Sequence, residues 1–360
     1  MERYDEKFIL SKTIRDDQNS QISVYLSRIV REGALTGEDC FKPDFSSVVN
    51  YEKSADDFRK KLEQTIGFPP PSRAENRPVR EEFVAQDDLC RIYRLYIPVD
   101  ADLDCYGLFL VPNSAKGNSP LVLCFHGGGG CPELICNFER TDNYNDAARR
   151  FVKKGFVVFA PLFTFRSQAD GENTDIPVNT RAMFDFRAKW AGTSLVAIEV
   201  FKIVKALDYL VTRSEVDPDR VGVAGMSYGG FFALMTAALE QRIQFCISSC
   251  YLNERIPVNE KHPSLFFDWT WKNSIKILSD AQLVALICPR PCFIEVGLHD
   301  EMFPVEGARS VISQAGSYYE NLGIMNRLHY YEFDGVHEFN LAFLDALGDG
   351  ADPFDFFTRL

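Results

Sequence analysis

The chain has 360 residues, 46% of them hydrophobic and 25% charged, enough apolar material for a sizeable core in one or two globular domains. A formal net charge of −12 excludes the basic footprint that nucleic acid or an anionic membrane surface needs in a partner. No apolar run approaches the roughly 18 residues of a membrane span, and residues 1–7 are charged with no apolar signal segment after them, so the expectation is a cytoplasmic protein with no membrane partner.

Residues 1–66 are polar and helix-leaning, with a helix expected over 55–65, where Phe58, Leu62 and Ile66 recur every four residues. Gly67, Pro69, Pro70, Pro71 and Pro78 follow, a composition that stops a helix and serves as a linker. The chain therefore divides into a helical N-terminal extension with its linker, 1–78, and a main domain, 79–360. Two strand-like stretches, 79–98 and 104–112, suggest an antiparallel hairpin. Short apolar runs then recur at 120–125, 156–163, 220–224, 243–248, 291–296 and 328–333. Runs apolar on both faces suit parallel strands covered from both sides.

Amphipathic segments alternate with these runs. In 194–213, Ala197, Phe201, Val204, Leu207 and Val211 fall at helical spacing, and in 305–322 Val305, Ala308, Ile312, Ala315, Tyr319 and Leu322 do the same before a capping Gly323. Strand–helix alternation of this kind predicts a doubly wound, mostly parallel α/β sheet. Residues 252–286 break the rhythm with Phe266-Phe267-Asp268-Trp269-Thr270-Trp271 and read as a lid-like insertion. Its Trp269 and Trp271 either line a substrate pocket or belong to the core. The ten cysteines read as reduced core thiols, and the pairs Cys246/Cys250 and Cys288/Cys292, dispersed over strands, predict no metal site.

After the run ending at Ala224 comes Gly225-Met226-Ser227-Tyr228-Gly229-Gly230, then a helical pattern. Gly-x-Ser-x-Gly between strand and helix makes a nucleophile elbow, in which glycines let the two elements close up and the serine is presented at the helix N-terminus. The strand at 120–125 runs into His126-Gly127-Gly128-Gly129-Gly130, a loop whose backbone can approach a substrate oxygen closely. The expected oxyanion donors are the Tyr228 N–H and that of Gly127 or Gly128. His126 should brace this loop. No Lys-Ser/Thr follows it, as a phosphate-binding loop would require.

A serine hydroxyl needs an imidazole to take its proton and a carboxylate to orient that imidazole. His337 lies in the loop after the last strand and is the expected base. Asp300 lies in the loop after the strand at 291–296 and leads the candidate acids, with Glu295, Glu301 and Asp334 left open. His299 and His329 are better suited to structural roles.

With these residues in place, the chain resembles the dienelactone-hydrolase and acetyl-xylan-esterase-like branch of the α/β-hydrolases, over about residues 55–345. The likeness rests on His126-Gly127-Gly128, on Val216-Asp217-Pro218-Asp219-Arg220 leading into the elbow, on residues 285–291, on residues 297–300 with Phe303-Pro304-Val305-Glu306-Gly307, and on residues 335–339. It implies an α/β-hydrolase fold and ester hydrolysis through an acyl-enzyme, with no metal or organic cofactor and a small-molecule ester as partner. It also supports Ser227, Asp300 and His337 in the catalytic roles. Relatives often carry a second glycine where this chain has Val336. The elbow also resembles that of prolyl-oligopeptidase-type serine peptidases, whose N-terminal propeller about 78 residues cannot build. A non-catalytic module of the same fold is the third alternative.

Overall fold

The computed structural model describes residues 4–5, 7–38, 40–73, 77–115, 117–164, 180–262, 268–345 and 352–358. Nine strands among them form one sheet: β1 (Arg80–Gln86), β2 (Cys90–Asp100), β3 (Leu103–Pro112), β4 (Ser119–Phe125), β5 (Val157–Pro161), β6 (Val216–Met226), β7 (Ile243–Ser249), β8 (Cys292–Gly297) and β9 (Leu328–Phe333). The helices are α1 (Lys12–Glu38), α2 (Val48–Ile66), α3 (Pro132–Ile135), α4 (Ala147–Lys153), α5 (Thr180–Trp190), α6 (Leu195–Leu210), α7 (Tyr228–Leu239), α8 (Arg255–Lys261), α9 (Ser274–Ile277), α10 (Asp280–Ile287), α11 (Val305–Asn321), α12 (Ala342–Asp345) and α13 (Pro353–Thr358).

The strand order is β1-β2-β3-β5-β4-β6-β7-β8-β9. Neighbours from β5 through β9 are parallel, while β1, β2 and β3 join antiparallel. The central strands are buried along nearly their whole length, as their apolar runs require, and hydrophobic clusters cover both faces of the sheet. The stretch at 79–98 proves to be two strands. Asp87 turns the chain between them by accepting the Leu89 and Cys90 N–H groups on Oδ1, each at 2.9 Å, an Asx turn that the extended strand reading overlooked.

At the N-terminus, α2 starts seven residues ahead of the expected helix because Ser47 caps it, accepting the Asn50 N–H at 3.1 Å. It ends at Gly67 in the left-handed region, φ 73°. Tyr51, Ala55, Phe58, Leu62 and Ile66 are buried in the same core as the sheet helices. Fully burying an apolar side chain of this size is worth about 1.5–3 kcal/mol. Tyr51 Oη donates to the Ala285 carbonyl at 2.7 Å, which fixes α2 against α10.

The insertion at 252–286 is not uniform. Every residue of α10 is buried, and a capping box of Ser279 and Gln282 starts the helix. This C-terminal part of the insertion is a core helix rather than a lid. Phe266 and Phe267 of the aromatic cluster lie outside the described residues.

The chain runs from β4 outward to β5 and then crosses back to β6 on the other side of β4. The C-terminal ends of β4 and β6 therefore flank a topological switch point, where open α/β sheets leave a crevice for ligands.

Candidate active site

Ser227 stands between β6 and α7 with φ 58° and ψ −119°, a strained conformation for a residue with a Cβ. Its N–H donates to the Ser249 carbonyl at 2.8 Å, which holds the turn. A Cβ on Gly225 would lie 2.2 Å from the Gly229 oxygen, and one on Gly229 would lie 2.3 Å from the Phe125 oxygen. Only glycines admit this approach of strand, turn and helix. All of α7 is buried, as its apolar sequence demands on every side, so the serine rests on a rigid support.

Asp300 follows β8 and is 5% exposed. Its Oδ1 accepts the N–H groups of Met302 and Phe303 at 2.9 and 3.0 Å. Its Oδ2 lies 2.7 Å from Nδ1 of His337, in the loop after β9. The imidazole also stacks on Phe303, with centroids 5.7 Å apart. An Nδ1–H held by the carboxylate leaves Nε2 as the basic nitrogen.

The other candidate acids are engaged elsewhere. Both oxygens of Glu295 lie 3.1 Å from the Leu341 N–H, and burial raises its carboxyl to about 7. Asp334 is paired with Nε2 of His299 at 2.9 Å on an exposed surface, and Glu301 is exposed. His329 lies in β9, stacked on Phe293 at 4.5 Å.

Ser227 and His337 line one cavity of about 340 Å3, with Gly127, Gly128, Tyr144 and Trp269 among the other walls. The strand-end loop is braced by His126. The Phe163 N–H donates to its Nε2 at 3.1 Å, so the proton sits on Nδ1 and faces the Gly127 carbonyl at 2.8 Å. Burial lowers this imidazole to about 4, which keeps it neutral.

Two expectations need correction. The Gly127 N–H does not face the cavity as a free donor: it donates to the hydroxyl of Tyr144 at 2.9 Å. Trp271 lies outside this cavity and lines a larger one between α1 and the insertion, of about 780 Å3. Trp269 borders both cavities and is also core, 3% exposed and stacked between Phe231 and Phe303. Tyr228, as the first residue of α7, has an N–H with no partner inside the helix, and Gly128 remains on the cavity wall.

Sequence reasoning missed three residues. Tyr144 lies 17 residues beyond Gly127 in a loop without periodic signal. Asp268 accepts the Tyr228 hydroxyl at 3.1 Å and pairs with the buried Arg181, whose guanidinium lies 4.1 Å over the Tyr228 ring. A lone acid inside an aromatic run was a signal for Asp268. Arg181 had none.

Potential ligand atoms of Cys250, Asp300 and His337 lie within 4.8 Å of one another. The Cys250 thiol donates to the Glu338 carbonyl at 3.3 Å, and burial raises its pKa. A protonated thiol beside a hydrogen-bonded carboxylate–imidazole pair is a poor donor set for a cation.

Residues 107–257 match the dienelactone hydrolase family. The protein named "Putative hydrolase YtaP", from Bacillus subtilis (strain 168), is 26% identical over 280 residues, 74% of this chain and 88% of its own. The structure titled as a "putative acetyl xylan esterase" of Bacteroides fragilis NCTC 9343 superposes with a TM-score of 0.63 at 16% identity, covering 88% of this chain and 85% of the other. A glucuronoyl esterase from Solibacter usitatus gives 0.56 at 16% identity, over 81% and 91%. An elbow serine after β6, a Gly-rich loop after β4, a histidine after β9 and these matches agree: the chain has the α/β-hydrolase fold, and its residues 107–257 match the dienelactone hydrolase family.

Proposed function

We propose that the protein is a serine carboxylic-ester hydrolase working without metal or organic cofactor, with residues 79–360 as its catalytic domain. The observation that carries this reading is the 2.7 Å pairing of His337 Nδ1 with Asp300 Oδ2, at the rim of a cavity that holds the strained Ser227. His337 Nε2 takes the Ser227 proton as Oγ bonds to the acyl carbon, and the carbonyl π electrons move onto oxygen. Collapse breaks the ester C–O bond, and His337 returns the proton to the departing alkoxide. Water then repeats the sequence on the acyl-enzyme, releasing the acid and restoring Ser227. Asp300 holds the imidazole tautomer and stabilises its cation, and the Tyr228 N–H donates to the oxyanion.

A cavity of about 340 Å3 is at the small end of ligand sites, which favours a short acyl group. The superposed acetyl xylan and glucuronoyl esterases support an acylated carbohydrate as the substrate class, with Trp269 against the sugar or acyl group.

A fluorophosphonate probe should label the wild type once, and Ser227→Ala should abolish labelling and lower kcat by about 10⁴–10⁶. Acetyl esters should turn over and short peptide amides should not. Continued labelling of the alanine variant would remove Ser227 from its role, and preferential amide cleavage would make the protein a peptidase.

A further inference from the structure

Tyr144 is 3% exposed, and it lines the cavity that contains Ser227 and His337. The hydroxyl oxygen accepts the Gly127 N–H at 2.9 Å. The O–H proton is still to be placed, and among the described residues no protein oxygen or nitrogen receives it. A buried donor left unmatched is destabilising, so an O–H kept here points to an acceptor arriving in the cavity.

The position fits the reacting carbonyl. A Cβ built on Gly127 would lie 3.3 Å from the Tyr144 hydroxyl and 3.6 Å from Ser227 Cβ, so phenol and nucleophile flank the same glycine. The loop bearing Tyr144 is also tied to the chain just after His337. The Phe339 N–H donates to the Asn143 carbonyl at 2.7 Å, and the Asn145 amide donates to Glu338 Oε2 at 2.8 Å. Phenol, serine and imidazole are therefore held by connected backbone, the preorganisation an oxyanion donor requires.

We propose that the Tyr144 hydroxyl, rather than the Gly127 N–H, is the second oxyanion donor, opposite the Tyr228 N–H, and so a catalytic residue. This rests on the ester-hydrolase reading above. The Gly127 amide acts through the phenol: by donating to its oxygen it polarises the O–H toward the developing negative charge. Burial raises the phenol pKa, so the proton remains available at neutral and mildly alkaline pH. No proton transfer is required, because the phenol donates a hydrogen bond to the tetrahedral oxyanion and keeps its proton when the intermediate collapses.

The test compares wild type, Tyr144→Phe and a variant carrying 3,5-difluorotyrosine at position 144, on p-nitrophenyl acetate. Tyr144→Phe should lower kcat by about 10²–10³ with little change in KM, the usual loss for one oxyanion donor. It should weaken a trifluoromethyl-ketone inhibitor, which binds as the tetrahedral adduct, by a comparable factor. The difluoro variant keeps a donor and should retain kcat near neutrality, but should lose it at a lower alkaline pH than wild type as its more acidic phenol ionises. A kcat within fivefold of wild type for Tyr144→Phe, or an unmoved alkaline limb in the difluoro variant, overturns the proposal. The second result decides the matter even where Tyr144→Phe does not fold. Fluorophosphonate labelling of Ser227 in the same preparations separates the two readings. If labelling is retained, a failure belongs to Tyr144 alone. If the wild type does not label at Ser227, the hydrolase assignment itself falls.

Discussion

Replacing Asp300 with asparagine tests the tautomer role with little change of shape. Oδ1 already accepts two backbone N–H groups, from Met302 at 2.9 Å and Phe303 at 3.0 Å. In Asp300→Asn those donors require the amide oxygen at the Oδ1 position, so the NH2 group must occupy the Oδ2 position, 2.7 Å from His337 Nδ1. Two N–H groups cannot share one hydrogen bond. The imidazole would move its proton to Nε2, the nitrogen that must accept from Ser227, and the base would be lost. In serine proteases this kind of tautomer error costs about 10⁴ in kcat, or about 5.5 kcal/mol of barrier. Steady-state hydrolysis of p-nitrophenyl acetate should show that loss, while calorimetry shows a melting temperature lowered by only a few degrees. Asp300→Ala is a poorer test, since it strands two backbone donors at about 1–3 kcal/mol each where they are buried. An Asp300→Asn enzyme within tenfold of wild type would refute the orientation role, whatever the Ser227 result.

Trp269 and Trp271 should separate. Trp269→Ala removes a ring packed between Phe231 and Phe303 and should lower stability by about 3–5 kcal/mol. It should also reorder kcat/KM across an ester panel, because the same ring borders the Ser227 cavity. Trp271→Ala should destabilise and leave the ranking alone, and a reordering by Trp271→Ala alone would reverse this assignment. Glu295 should give stability a pH dependence of unusual sign. Its carboxyl rises from an ordinary 4.5 to about 7 through burial, so between those values the folded protein holds a proton that the unfolded chain has released. Stability therefore falls as pH rises through that window. Glu295→Gln should flatten that limb in calorimetry between about pH 5 and 8, and parallel profiles for the two proteins would show that the carboxyl is ionised in the fold.

The backbone of the site was legible in the sequence because its signals are short-range. An apolar run, a Gly-x-Ser-x-Gly turn and a following helical pattern lie within some twenty residues, and chain order alone put Asp300 and His337 after successive strands of one sheet. Parallel strands aligned in one direction bring their C-terminal loops to one edge, so elements placed correctly along the chain implied residues close in space. The β1–β2 hairpin had a local signal too, in Asp87, that strand periodicity masked.

Other features depend on contacts that no local pattern encodes. Which part of 252–286 becomes core was settled by where α2 and α10 meet, through Tyr51 and the Ala285 carbonyl. That Gly127 spends its N–H on a phenol was decided by the loop before α4, anchored in turn to residues after His337. Arg181, Asp268 and Tyr228 converge from three separate segments. Sequence alone determined the central strands, the elbow and the order of the reacting groups, since propensity and burial pattern act residue by residue. The tertiary structure decided which side chains satisfy one another's hydrogen bonds, because a buried donor takes its partner from whatever packing brings within about 3 Å.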